Sequence, residues 1–130
     1  MLSVKITCPV FPSEDPDKVK EAILKIFPDA EISENDDGYE CTAPGLDHLS
    51  KQIRKQKILD ATRSQMQRGM RRTGKITVNL NKQVAYMGKV SFTEGKVILG
   101  TIKVVIETDE PQALIDTVAP ETVDGEEVLI

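Results

Sequence analysis

Residues 3–28 read SVKITCPVFPSEDPDKVKEAILKIFP, and two different periods follow one another in them. From Ser3 to Pro9 the residues alternate and are rich in β-branched types, with Val4, Ile6 and Cys8 on one face, as in a strand covered on one side by a core. Pro9 and Pro12 end it, because proline cannot donate to a ladder. Val19, Ala22, Ile23, Ile26 and Phe27 then recur at i, i+3, i+4, i+7 and i+8, the stripe of an amphipathic helix. Ser13 is the expected N-cap, Glu14 and Asp15 suit the positive end of the dipole, Pro16 is tolerated in the first turn, and Pro28 stops the helix. A strand and a helix that each bury one face predict an α+β domain with helices laid on a sheet.

Downstream, short strands at Glu31 to Ser33 and Tyr39 to Ala43 flank Asn35-Asp36-Asp37-Gly38, where Asp-Gly offers the positive φ of a hairpin turn. Pro44-Gly45 breaks the hairpin. From Leu46 to about Met70 there is no Pro and no Gly except Gly69, which predicts one long helix. Its apolar pattern does not run straight. Leu49 and Ile53 mark one face, whereas Leu59, Thr62, Met66 and Met70 lie roughly 120–140° away on a wheel of about 100° per residue. Either the helix bends near Lys57, with one winding core, or it serves two surfaces, the second facing another subunit.

After a flexible Arg71-Arg72-Thr73-Gly74, strands are expected at Lys75 to Leu80, at Gly88 to Phe92, and from Val97 to Glu107, the last two joined by a turn at Thr93-Glu94-Gly95-Lys96. Asn81 to Tyr86 fits one helical turn. Asp109-Glu110-Pro111 opens a short helix through Leu114, Ile115 and Val118 that Pro120 ends. The whole is a mixed, mainly antiparallel sheet with two main helices in a single domain over residues 1–130. An acidic tail from about residue 121, tipped by Val128-Leu129-Ile130, is free to move or to pack on a partner.

The length of 130 residues and the 39% apolar fraction suffice for one core. No stretch is long and apolar enough to cross a bilayer, and Met1 to Ile6 has no long apolar region, so a cytoplasmic location is expected. Cys8 and Cys41 stand apart with only His48 as a further soft ligand, so no zinc or redox motif is expected. Reduced, buried thiols are the default, and pairing of Cys8 with Cys41 stays open.

The formal net charge of −4 hides an asymmetry. Between Lys51 and Phe92 stand Lys51, Arg54, Lys55, Lys57, Arg63, Arg68, Arg71, Arg72, Lys75, Lys82 and Lys89, against Asp60 alone. Such a block either meets an acidic partner, each cation that neutralises a phosphate releasing a counterion, or forms a solvated face balanced by the acidic remainder of the chain. Aromatic residues for base stacking are sparse there, only Tyr86 and Phe92, so duplex shape or backbone recognition is favoured over base reading.

Three segments carry a family resemblance: Gln56 to Arg63, the block Leu80-Asn81-Lys82-Gln83-Val84-Ala85-Tyr86-Met87-Gly88-Lys89-Val90-Ser91-Phe92, and Leu99-Gly100. In these the chain resembles, over essentially its whole length, an uncharacterised archaeal family described as RNA-binding proteins or predicted exosome subunits. The resemblance implies a fold like that of the large-subunit ribosomal protein that holds five-S RNA.

The expected function is RNA docking through Arg54, Lys55, Arg63, Arg68, Arg71, Arg72 and Lys82, in a homodimer, provided these side chains form one contiguous positive surface. Gln56, Asp60 and Arg63, at i, i+4 and i+7, form a polar stripe with Lys82 and Gln83 as candidate neighbours. That stripe is either a site or, as favoured here, a satisfied network joining helix to sheet or subunit to subunit. The alternative function is a protein interaction or scaffold subunit of an RNA-processing assembly, marked by an apolar patch near Met66 and Met70. No catalytic residue, cofactor or metal is expected. His48 has no partner at a diagnostic spacing, and the carboxylate pairs Asp36-Asp37 and Glu126-Glu127 fall in a turn and the tail.

Overall fold

The computed structural model describes residues 2–93, 97, 99–123 and 126–127. Strand β1 (Leu2–Pro9) leads into helix α1 (Pro16–Ile26), then the hairpin β2 (Glu31–Asn35) and β3 (Gly38–Ala43). Helices α2 (Asp47–Lys55) and α3 (Leu59–Thr73) follow, then β4 (Ile76–Leu80), the single turn α4 (Lys82–Tyr86), β5 (Ile102–Thr108) and α5 (Pro111–Val118). Two-residue strands β6 (Thr122–Val123) and β7 (Glu126–Glu127) pair with each other. The main sheet is five-stranded and antiparallel throughout, in the order β2-β3-β1-β5-β4.

Alternation sets the two faces of this sheet. Val4, Ile6 and Cys8 of β1, Tyr39 and Cys41 of β3, Ile76, Val78 and Leu80 of β4, and Ile102, Val104 and Ile106 of β5 are buried beneath the helices. Their neighbours Lys5, Thr7, Glu40, Thr42 and Lys103 are exposed on the other face. Helix α1 buries Val19, Ala22, Ile23 and Ile26, the stripe read from the sequence, and Phe27 is buried just past its end. Each fully buried isoleucine contributes about 1.5–3 kcal/mol, whereas the short α4 buries only Lys82 and Ala85 and is capped by the Asn81 side chain, which accepts from the Val84 amide.

Several sequence expectations are corrected. The cap of α1 is Asp15, whose side chain accepts from the Asp17 amide, and not Ser13. At the hairpin the register pairs Asn35 with Gly38, and the Asn35 carboxamide oxygen accepts from the Asp37 and Gly38 amides, so an asparagine side chain organises the turn. The positive φ, 154°, falls on Gly38, just after the two turn residues.

The long helix is two helices. α2 ends at Lys55, Lys57 adopts a left-handed φ of 59°, and α3 starts at Leu59. A left-handed residue other than glycine costs about 1–2 kcal/mol, and Gln56 offsets it. Its side-chain nitrogen donates to the Val90 carbonyl at 2.9 Å and its oxygen accepts from the Val90 amide at 2.7 Å. This break rephases the chain, so that Leu49 and Ile53 on α2 and Leu59, Thr62 and Met66 on α3 all enter one core, with Met70 packed against it. The winding-core alternative therefore describes the Met66 and Met70 face.

The same contact explains why Gly88 to Phe92 is not a strand. Both backbone polar groups of Val90 are taken by the Gln56 side chain, and pairing reduces to an isolated bridge between Leu80 and Phe92. The expected strand from Val97 begins only at Ile102, past Gly100 at φ +74°. The turn expected at residues 93–96 and the apolar tip at 128–130 lie largely outside the described residues. Arg71 and Arg72 are not in a loop either: they form the last turn of α3, which Gly74 closes in the left-handed conformation.

Cys8 and Cys41, on the neighbouring strands β1 and β3, are free buried thiols. Burial pushes the Cys8 thiol up to about 12 and the Cys41 thiol to about 11, against an ordinary value of 9.0.

Candidate nucleic-acid interface

The basic block is divided by the fold. Arg54 and Arg63 turn toward α5, whose final carbonyls lack helical partners. Arg54 donates to the Thr117 carbonyl at 3.1 Å, and Arg63 to the Ala119 carbonyl at 3.2 Å. Arg63 is also ion-paired, 2.7 Å from Asp116 and 3.5 Å from Glu121. The hydrogen bond and charge of Arg63 help hold the Asp116 carboxyl below its usual range. Asp60 accepts from Thr122 at 2.5 Å and Gln56 holds Val90, so Asp60 and Arg63 together hold the segment after α5 while Gln56 engages a separate place.

Lys82 is further still from a surface role. Only 8% of its side chain is exposed, and its ammonium donates to the Pro9 carbonyl at 2.5 Å, the Leu99 carbonyl at 2.5 Å and the Glu14 carboxylate at 3.0 Å. The Phe11 ring lies 5.5 Å away. All three ammonium protons have acceptors, so this lysine ties β1, the segment before β5 and α4 together. Gln83, beside it in sequence, is exposed.

Other cations converge elsewhere. A groove of about 510 Å³ runs between α3 and β4, walled on the helix side by Arg68, Gly69 and Arg72. Thr77 and Asn79 of β4 and Lys103 of β5 line it from the sheet. Arg68 and Arg72 are one helical turn apart and so share a face. Lys103 joins them because strand register sets it opposite Asn79. No carboxylate lines this groove among the described residues. Gly69 decides its shape: a Cβ there would fall 2.0 Å from the Thr77 carbonyl oxygen, so helix and strand meet backbone to backbone. At the end of the groove Thr73 accepts from the Lys75 amide at 3.2 Å and lies 3.2 Å from the Thr77 hydroxyl. Lys75 is paired with Glu107 at 2.8 Å, and that contact holds the Glu107 carboxyl below its usual range.

Lys55 falls in a different cleft, with Lys89, Gln52 and the exposed Met87. Sequence reading missed Lys103, which stands outside the basic block and is recognisable only once β5 is aligned with β4. Among the described residues no cluster of His, Cys, Asp and Glu is arranged to hold a metal ion, and no helix is long and apolar enough to cross a membrane.

A family model described as RNA binding matches residues 3–108, most of this fold. The chain belongs to that RNA-binding family. Similar proteins carry the family's UPF0201 designation. One from Sulfurisphaera tokodaii is 38% identical over 96% of this chain and 92% of its own length. A UPF0200/UPF0201 protein of Archaeoglobus fulgidus is 38% identical over 98% of this chain, which spans only 40% of that longer relative. The crystal structure of a UPF0201 protein from Methanococcus jannaschii superposes with a TM-score of 0.85 at 35% identity, covering 99% of this chain and 100% of that one.

Proposed function

We propose that this family member docks on RNA through the C-terminal end of α3, with Arg68, Arg71 and Arg72 meeting the phosphate backbone. The observation that carries this reading is the convergence of Arg68 and Arg72 with Lys103 on one groove that no carboxylate lines among the described residues, in a chain of the RNA-binding family. Guanidinium forks suit phosphate oxygens, and arginines in the last turn of a helix stand on a fixed scaffold. Lys55 extends the contact from its own cleft, whereas Arg54, Arg63 and Lys82 serve it by holding the fold.

The alternative of a scaffold subunit in an RNA-processing assembly is less supported. Its expected apolar patch near Met66 and Met70 is occupied by the protein's own core. The exosome association and the ribosomal-protein likeness rest on the family resemblance, whereas a homodimer loses its argument from a second helix face, because Leu59 and Met66 are buried in the protein's own core and Met70 packs against it.

The test is titration of a structured duplex and a single strand of RNA at two salt concentrations, with the native protein and with Arg71→Glu combined with Arg72→Glu. Binding that weakens steeply with salt and is lost in the charge-reversed protein is expected. Salt-insensitive or absent binding in the native protein rejects the reading.

A further inference from the structure

Resting on the RNA-docking reading, we propose that the α3–β4 groove seats the sugar–phosphate chain of a single RNA strand, and that Asn79 and Lys103, from the sheet, complete that seat opposite Arg68 and Arg72.

The groove presents donors. Asn79 has its carboxamide oxygen occupied by the Thr101 hydroxyl at 2.9 Å, which leaves its amide hydrogens as the groups to offer. Arginine and lysine have only donors. Thr73 is committed internally, its hydroxyl lying 2.9 Å from the Gly69 carbonyl and 2.8 Å from that of Lys75. Among the described residues the charged side chains of the lining are all cations, with no lining carboxylate, and such a lining favours an anion.

Shape narrows the choice. The volume of about 510 Å³ lies within the range of about 300–1,000 Å³ typical of ligand sites. A duplex is too broad to enter a cleft whose walls are a helix and a strand in backbone contact, and would touch only the rim. No aromatic side chain lines the groove among the described residues, so there is no platform on which to stack a base. Together these features fit one strand, recognised by its backbone and not by its sequence.

The experiment is fluorescence-anisotropy titration of oligouridylate and oligoadenylate with the full chain at two salt concentrations. Asn79→Asp keeps the acceptor for Thr101 and replaces the amide donor by a carboxylate. It is expected to weaken binding by about tenfold or more, the cost of a like charge facing phosphate. Lys103→Gln, on an exposed side chain, is expected to weaken binding several-fold and to lower the salt slope by about one. Lys51→Gln, on an exposed position of α2 outside the groove, is expected to bind like the parent, and the two oligomers to bind alike. Should Asn79→Asp prove misfolded by circular dichroism, Lys103→Gln carries the test. Parental affinity and salt slope in Lys103→Gln, with binding still lost in the Arg71 and Arg72 charge reversal, overturns the groove and leaves RNA docking standing. A strong preference between the two oligomers also overturns it. No RNA binding by the parent overturns both.

Discussion

Lys82 and Arg72 stand ten residues apart in one basic run of sequence, yet the fold treats them in opposite ways. Around Lys82 two carbonyls and a carboxylate close on a single ammonium, and 8% of the side chain remains exposed. Around the α3–β4 groove, Arg68, Arg72 and Lys103 gather on exposed positions without a lining carboxylate among the described residues. The contrast teaches that the place to which the backbone carries a cation, and not its place in the run of sequence, decides whether it serves the interior or the surface. A buried, fully bonded charge specifies structure; an exposed cluster of like charges is set at the surface by that structure.

The sharpest way to break the comparison is Lys82→Ala. It strands the Glu14 carboxylate, whose side chain is 11% exposed, together with two carbonyls. A loss of about 3–5 kcal/mol is expected by urea denaturation, with RNA affinity unchanged in protein that remains folded. Unaltered stability with weakened RNA binding would move Lys82 to the side of the groove.

Next is Gly69→Ala. The added carbon meets backbone rather than a movable side chain, so α3 must shift off β4, at a cost of about 1–3 kcal/mol or more. The denaturation midpoint and RNA affinity should fall together, because the same shift deforms the groove. Arg71→Glu with Arg72→Glu sharpens the other half of the comparison. Stability is expected to fall by about 1 kcal/mol, because carboxylates replace cations at the negative end of the α3 dipole, while RNA affinity drops by about tenfold or more.

The smallest effect concerns Arg63 and Asp116. Because the folded Asp116 carboxyl is held low, largely by the Arg63 hydrogen bond, its contribution to stability is present above the unfolded pKa and is lost as pH falls through the folded one. Thermal midpoints measured from neutral pH downward should therefore fall slightly less steeply in Asp116→Asn than in the parent.

How much of this was legible in the sequence follows the range of the interactions. The strands β1 and β4, the alternating part of β5 and the helix α1 were readable because their signals, alternation or an i, i+4 stripe, lie within a few residues, whereas the Asn81 cap of α4 was found only in the structure. The phase slip between Ile53 and Leu59 allowed either a bend near Lys57 or a helix with two surfaces, and what stands at the break, a glutamine amide bonded to Val90, spans 34 positions and leaves no local trace. The same holds for the candidate site. Arg54 and Lys82 bond mainly to carbonyls, which every residue carries, and Arg63 to carboxylates more than 50 positions away, so no local pattern marks these partners. Lys103 enters the groove through strand register, a relation that no period in β5 alone contains.

The Gly69 contact has a last consequence, for the rim of the sheet. On the β4 side, backbone contact with α3 covers Thr77, and the Thr93 amide takes the Asn79 carbonyl at 3.0 Å. On the β2 side, residues 31–35 have no outer strand among the described residues. A sheet shut along one margin can accept a strand from one neighbour and then has nowhere further to extend, so edge-to-edge association of such molecules ends in a closed pair instead of an open-ended filament.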